Sequence, residues 1–256
     1  MTRYTPLLLF LAACCSSTAV VAQDVPLTTD QVAAIRQLAE QGNAEAQTIL
    51  GYMYDNGEGV AESDAEAVKW YRLAADQGNA GAQYNLGVMY AKGEGVAEND
   101  AEAVKWYRLA AAQDYASAQS NLGVAYANGE GVTENDAEAV KWYRVAAAKG
   151  DAGAQYNLGY KYDSGEGVAE NDAEAVKWYR LAADQGKAAA QSNLGTMYAN
   201  GEGVPESKVD AYLWWNLAAA QGLAEAKTNK EIIEKTMTRE QIAEAQRRSA
   251  AWKPKK

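Results

Sequence analysis

Residues 79–114 read NAGAQYNLGVMYAKGEGVAENDAEAVKWYRLAAAQD, and this stretch decides the fold because the chain repeats it. Trp106 has counterparts at Trp70, Trp142, Trp178 and Trp214, one every 36 residues. The pair Leu86-Gly87 returns at Leu50, Leu122, Leu158 and Leu194, and Tyr90 returns as Tyr54, Tyr126, Tyr162 and Tyr198. The run Gly93-Glu94-Gly95-Val96 has copies opening at Gly57, Gly129, Gly165 and Gly201. Five contiguous repeats, 43–78, 79–114, 115–150, 151–186 and 187–222, follow one another without insertion. A fixed period of this length is the mark of a stacked repeat architecture.

Each repeat reads as two helices. In the first, Ala46, Leu50, Met53 and Tyr54 fall at i, i+4, i+7 and i+8, one apolar stripe on helix A. Asn43 is placed to cap its start, and Gly57 to end it in the left-handed conformation. Residues 57–63 connect to helix B, which Asp64 is expected to cap and Gly78 to stop. On helix B, Val68, Tyr71 and Ala75 make one apolar row and Ala67, Trp70 and Ala74 a neighbouring row. A glycine costs about 1 kcal/mol in a helix interior, so the recurrence of Gly51 calls for a close approach of the two helices, with Ala74 and Ala75 expected opposite. One hairpin cannot bury its rows alone, but stacked neighbours can. The sequence therefore predicts an all-α fold, a right-handed α-solenoid of five 36-residue helix-turn-helix repeats with helical caps, a concave face and a convex face.

The flanks read as those caps. Within 23–42, residues 29–42 align with helix B, and Thr28 with Gln31 fits a capping box. Residues 223–256 carry further helices and a basic tail, with Thr238 and Gln241 starting a last helix that reaches about Ala251. The fifth repeat has lost its charged outer face, because Leu213 and Asn216 stand where Lys69 and Arg72 stand in the first. The apolar run Tyr212-Leu213-Trp214-Trp215 needs a cover. Segment 232–252 is expected to fold back over it through Ile232, Ile233, Ile242 and Trp252, the alternative being a dimer through the same patch.

Composition narrows the chemistry. Ala supplies 53 residues and Tyr 16, which favours closely packed helices over β-sandwiches. Histidine is absent, which removes the usual general base of Ser and Cys hydrolases and the commonest nitrogen ligand of transition metals. The net charge of −10 argues against nucleic acid, whose binding needs a basic face. The balance is uneven: the five repeats hold 13 bases and 26 acids, whereas 223–256 holds nine bases and five acids.

The opening MTRYTPLLLFLAACCSSTAVVAQD reads as an export signal over 1–22, with an apolar run from Leu7 to Ala13 and a small-residue site at Val20-Val21-Ala22. That run is too short to span a bilayer. Cleavage before Gln23 would place the chain in the periplasm and remove both cysteines. A second reading stays open, in which Leu11-Ala12-Ala13-Cys14 is a lipobox and Cys14 carries a lipid anchor to the outer membrane. Secretion beyond the envelope is a third destination.

The segments 82–90 (AQYNLGVMY), 93–96 (GEGV) and 101–108 (AEAVKWYR) resemble the Sel-one-like repeat, a relative of the tetratricopeptide repeat with a 36-residue period. The resemblance covers 43–222. It implies an adaptor that holds protein assemblies together, as members do in periplasmic polysaccharide export and envelope signalling. A secreted, cysteine-rich branch of the family resembles penicillin-binding or β-lactamase-like proteins, which makes a cell-wall-directed ligand binder or enzyme the alternative function. That branch carries a Cys pair in each repeat, and the repeats of this chain carry none.

Other chemistry is weak in the residues themselves. The loop Gly57-Glu58-Gly59 lacks the third glycine and the preceding strand of a nucleotide site. Asp55, Asn56, Glu58 and Glu62 miss the EF-hand spacing. The tryptophan column is read as core rather than as a sugar-stacking ladder. No cofactor, metal or catalytic residue is expected. What varies between repeats is the helix-A stripe at Thr48, Tyr84, Ser120, Tyr156 and Ser192, and at Tyr52, Val88, Val124, Tyr160 and Thr196. Beside it runs the column Asn85, Asn121, Asn157 and Asn193, whose amides could pair with an extended peptide or bind a neighbouring turn. A protein or peptide partner is therefore expected in a helix-A groove, on Tyr52, Tyr84, Asn85, Asn121, Tyr156, Asn157, Tyr160 and Asn193.

Overall fold

A computed structural model describes residues 27–255. The export signal expected over 1–22, with the expected cleavage before Gln23 and Cys14, lies outside the described residues. Thirteen helices and no strand are found among them. They are α1 (Thr29–Glu40), α2 (Ala44–Asn56), α3 (Asp64–Asp76), α4 (Ala80–Lys92), α5 (Asp100–Ala112), α6 (Ala116–Asn128), α7 (Asp136–Ala148), α8 (Ala152–Ser164), α9 (Asp172–Asp184), α10 (Ala188–Asn200), α11 (Lys208–Ala220), α12 (Ala224–Glu234) and α13 (Arg239–Ala251). The fold class is an all-α solenoid in which hairpin follows hairpin. The described residues form two compact units, the first ending at Ala110 and the second starting at Ala111. No helix among them is long and apolar enough to cross a membrane.

Local chemistry sets the helix ends. Asn43 caps α2 by accepting from the Ala46 N–H at 2.9 Å, and Gly57 closes it at φ +67°. The helix-B cap sits one residue earlier than the sequence suggested. Ser63, not Asp64, accepts from the Glu66 N–H, and Asn135, Asn171 and Ser207 do the same in later repeats. Asp64 instead lies in the first turn, where a carboxylate faces the positive end of the helix dipole. Thr28 with Gln31 and Thr238 with Gln241 form complete capping boxes on α1 and α13.

The helix-A glycine has a more specific cause than two apposed alanines. A Cβ on Gly51 would stand 2.6 Å from Cδ1 of Tyr71, and one on Gly159 would stand 2.7 Å from Cδ1 of Tyr179. Gly87 faces Tyr107, Gly123 faces Tyr143, and Gly195 faces the Trp215 ring in the same way. An aromatic ring on helix B thus lies on the bare backbone of helix A. Ala74 and Ala75 turn the other way, into a core cluster with Ala82, Leu86 and Met89 of the next helix A.

That arrangement places the main core between repeats. In the first unit, Ile35 and Ala39 of α1 meet Ala46, Leu50 and Met53 of α2, and α3 meets α4 likewise. In the second unit, Ala139, Val140 and Tyr143 of α7 meet Ala154 and Leu158 of α8, and α9 meets α10. The tryptophans pack against these clusters: Trp70, Trp106, Trp178 and Trp214 each join the cluster beside their own helix A.

The apolar face of the fifth repeat is covered from within the chain. Tyr212 and Trp215 of α11 share a cluster with Ile233 of α12 and Ala245 of α13, with Met237 packed alongside. Trp252 packs on the cluster that holds Leu213 and Trp214. Ile232, expected in this cover, is 57% exposed. It precedes Ile233 by about 100° of helix turn, so only one of the pair can face α11.

Gly159→Ala tests the ring-on-backbone contact. Helix propensity alone predicts a gain of about 1 kcal/mol. Overpacking against a fully buried tyrosine costs about 1–3 kcal/mol, and the fit here is too tight for the ring to yield cheaply. The expected result is net destabilisation in urea unfolding, and a stabilised variant would refute the contact.

Candidate functional site

The varied helix-A positions do not form one exposed stripe. Ser120 and Ser192 are buried, whereas Tyr52, Tyr84 and Tyr156 are half-buried. Tyr160, at 44% exposure, is the most open of the tyrosines proposed from sequence. The half-burial has a partner. Tyr84 lies 6.1 Å from the Tyr107 ring and Tyr156 lies 5.9 Å from the Tyr179 ring, both tilted. Each thus packs on the ring that covers a helix-A glycine. Lys187 stands over the Tyr156 ring and Lys161 over the Tyr160 ring, each 5.9 Å from the centroid.

The asparagine column lies beside the same rings. Asn85 stands near the Tyr71 hydroxyl, Asn157 near that of Tyr143, and Asn193 near those of Tyr179 and Tyr156, and each amide favours the ionised hydroxyl against the burial that opposes it. Each of these amides therefore lies beside the helix-B tyrosine of the preceding repeat. Asn121 is half-buried. Burial, and then a nearby carboxylate, push the hydroxyls of Tyr71 and Tyr179 far above the ordinary tyrosine range. Tyr71 donates to Asp55 at 3.2 Å and Tyr179 donates to Asp163 at 3.0 Å.

Two features were not found from sequence. In the first unit, Asp55, Glu62, Asp64, Asn85, Lys92 and Glu94 line a cavity of about 310 Å³. Burial raises the Asp55 carboxyl above its ordinary value, against the Tyr71 bond that favours the anion. In the second unit, Lys161 is buried where the first, second and fifth repeats have Met53, Met89 and Met197. Its ammonium lies 2.6 Å from both Asp136 and Glu166. Burial opposes that charge, but the two bonds outweigh it and hold the lysine above its ordinary value. The signal for each was present as a break in the repeat: Asp55 and Asp163 against Ala91, Ala127 and Ala199, and Lys161 against methionine. Among the described residues, no group of three or more His, Cys, Asp and Glu is placed to hold a metal ion.

The raised Asp55 carboxyl fixes a pH dependence. A carboxyl whose folded value exceeds its unfolded one contributes its stability below the unfolded value and loses it as pH rises through the folded one. Asp55→Asn keeps an acceptor for Tyr71 and removes the charge. Urea unfolding should find the variant more stable than the parent at pH 7, with the gap closing towards pH 3. A gap that widens on acidification would reverse the assignment.

The Sel1 repeat family model matches residues 44–79, 80–115, 116–151, 152–187 and 188–223. No curated protein matches the chain. Among solved structures, c5321, a protective antigen of uropathogenic Escherichia coli with an SLR fold, is 40% identical with a TM-score of 0.77. The alignment covers 87% of this chain and 49% of that one, so the chain spans about half the length of that relative. A Sel1 repeat protein from Oxalobacter formigenes is also 40% identical, with a TM-score of 0.70 and coverage of 77% and 81%. A putative Sel1 repeat protein from Klebsiella pneumoniae, 23% identical over 79% of this chain and 99% of that one, shares the fold at a TM-score of 0.52. The five matched repeats and the stacked helix pairs agree, and the chain belongs to the Sel1 repeat family.

Proposed function

We propose that the chain is an exported, non-enzymatic scaffold that binds a protein or peptide partner across its helix-A surfaces. The observation that carries this reading is where the chain allows variation. Ring, glycine and leucine positions hardly change between repeats, whereas the copies of Thr48 and Tyr52 change at almost every repeat. Tyr156 and Tyr160 of α8 are the strongest anchors, with Tyr52, Tyr84 and the asparagines Asn85, Asn121, Asn157 and Asn193 at or beside the equivalent positions. Tyrosine suits the role because a rigid ring with a hydroxyl gives large contact area at small entropic cost. Tyr84 and Tyr156 are already braced from behind by Tyr107 and Tyr179, which reduces the ordering that binding requires.

The test is affinity for a partner captured by cross-linking, read by calorimetry. The double change Tyr156→Ala with Tyr160→Ala should weaken binding by about 2 kcal/mol, the scale of a hot-spot pair. Lys141→Glu, an exposed change on helix B, should leave binding intact. Arg144 is unsuitable as that control because it donates to the Tyr162 hydroxyl at 2.9 Å. Intact binding in the tyrosine variant, with loss in Lys141→Glu, would move the partner to the helix-B face.

Export to the periplasm rests on residues 1–22 of the sequence alone. The expected product is a soluble chain beginning at Gln23, released by osmotic shock and identified by its mass. Diacylglycerol on Cys14 would instead place the protein on a membrane surface.

A further inference from the structure

The second unit contains a peptide-like segment already docked on a helix end. Helix α13 stops at Trp252, whose φ of −70° and ψ of 141° are polyproline values. Pro254 then fixes the following backbone, and the residue before a proline is held extended. The segment lies against the end of α9. The Lys255 N–H donates to the Asp184 carbonyl at 2.7 Å, and the Lys255 ammonium reaches the Asp184 carboxylate at 2.7 Å. Pro254 and Trp252 sit about 3.9 Å from where a Cβ on Gly186 would stand. One aspartate thus takes an extended Pro–Lys pair by both its carbonyl and its side chain.

The same helix end occurs in the first unit. Residues 73–78 read LAADQG, as do residues 181–186. The closing turn is also the same. The Gly78 N–H goes to the Ala75 carbonyl and the Asn79 N–H to Ala74, as Gly186 goes to Ala183 and Lys187 to Ala182. Both closing bonds pass over the aspartate carbonyl, which leaves it directed outward at the negative end of the helix dipole. Asp76 is exposed at the end of α3. The other helix-B ends of the five repeats carry Ala112, Ala148 and Ala220 at this position, so only the first and fourth have the carboxylate.

We propose that the end of α3, around Asp76, is a docking site for an extended Pro–Lys segment of a separate protein, held as α9 holds residues 252–255. Charge favours such an occupant, because the repeats hold 26 acids against 13 bases. The occupant is assigned to another protein because this chain's own Pro–Lys segment is engaged on α9, where the short connection to α13 keeps its effective concentration high. One difference narrows the specificity. Lys105 and Trp106 stand where the second unit has Leu213 and Trp214, the cluster on which Trp252 packs. Lys105 is paired with Glu102 at 3.1 Å. The α3 site therefore recognises the Pro–Lys half and gains little from an aromatic residue before it. This surface lies on helix B, so its failure and that of the helix-A reading are separable.

The probe is the blocked peptide Ala-Trp-Lys-Pro-Lys added to the full-length chain, followed by amide chemical shifts. The expected result is saturable shifts at residues 75–79, weakened at least fivefold by Asp76→Asn and abolished when the peptide's last lysine is replaced by glutamate. Replacing the peptide's tryptophan by alanine should change affinity less than twofold. Asp76→Asn should melt with the parent, because the side chain is exposed. Shifts confined to residues 184–187 would mean exchange with the chain's own segment and would overturn the proposal. Unchanged affinity in Asp76→Asn would do the same. Self-association lost in Asp76→Asn would overturn the assignment to a separate protein and give the site to a second copy.

Discussion

An aromatic ring pressed onto a glycine backbone is the contact on which the rest of the structure depends. It sets the distance between the two helices of every repeat, and so the position of every other side chain on them. Tyr71 is fully buried by this contact, as is Tyr179. A buried hydroxyl needs a partner. Asp55 and Asp163 supply one within the repeat, and Tyr71 and Tyr179 also pack into the cluster formed with the next helix A. The packing of one hairpin and its link to the next therefore share a single side chain. In the fifth repeat Trp215 replaces the tyrosine, and its indole N–H donates to the Ser192 carbonyl at 3.1 Å. The ring survives the substitution because its polar handle still finds an acceptor.

Three further contacts recur where one helix B meets the next helix A. The buried amides of Gln47, Gln83, Gln155 and Gln191 donate to the end carbonyls of Ala39, Ala75, Ala147 and Ala183. Arg36, Arg72, Arg144 and Arg180 donate to the hydroxyls of Tyr54, Tyr90, Tyr162 and Tyr198. The second loop glycine, as at Gly95, Gly167 and Gly203, lies against the backbone at the start of the preceding helix B, where any side chain would collide. The system fails locally where one residue changes. Gln47 accepts from Gln77, Gln155 from Gln185 and Gln191 from Gln221, but the third repeat has Lys149 in that place. Lys149 turns to the carbonyl and carboxylate of Asp114, and the Gln119 Oε1 is left buried without a donor. Asp114 itself occupies, at φ +65°, a position that is glycine in the other four repeats.

How legible this was depended on whether a feature repeats. Helix boundaries, most caps and the core between repeats followed from a 36-residue period, because each residue type could be checked against four copies. The partner of Gly51 was not legible. The spacing of apolar residues shows that something on helix B must come close to Gly51, but Tyr71, Ala74 and Ala75 satisfy that spacing equally until the helices are placed. The candidate tyrosines were visible in a varied stripe and the asparagines as a recurring column beside it, but their degree of burial was not. A half-buried Tyr156 and an exposed Tyr160 share one helix face in sequence and differ in what the neighbouring helix B puts behind them. Lys161 and the Asp55 cavity stand at departures from the repeat, which a reading of the shared period averages away.

Those departures are what distinguish one repeat from another on a scaffold that is otherwise uniform. The first and fourth repeats share Asp55 with Asp163, Asp76 with Asp184, and Tyr52 with Tyr160. The basic segment 223–256 uses one member of this set directly, through Lys255 on Asp184, and also pairs Arg248 with Asp210 at 2.6 Å. Exposed ion pairs of this kind are worth about 0–1 kcal/mol each, too little to fix α13 in place. The apolar contacts of Trp215, Ile233 and Ala245 supply the attachment, and Asn216, standing where arginine stands in other repeats, bonds Ser249 at 3.0 Å. Charge then selects among the ways of laying the segment down. Asp184 is the helix end within the second unit that offers both a bypassed carbonyl and a carboxylate, so the extended residues after α13 align there. At Asp184 one doubly accepting helix end of an acidic repeat array thus fixes where a basic segment lies, without any change to the core that holds the repeats together.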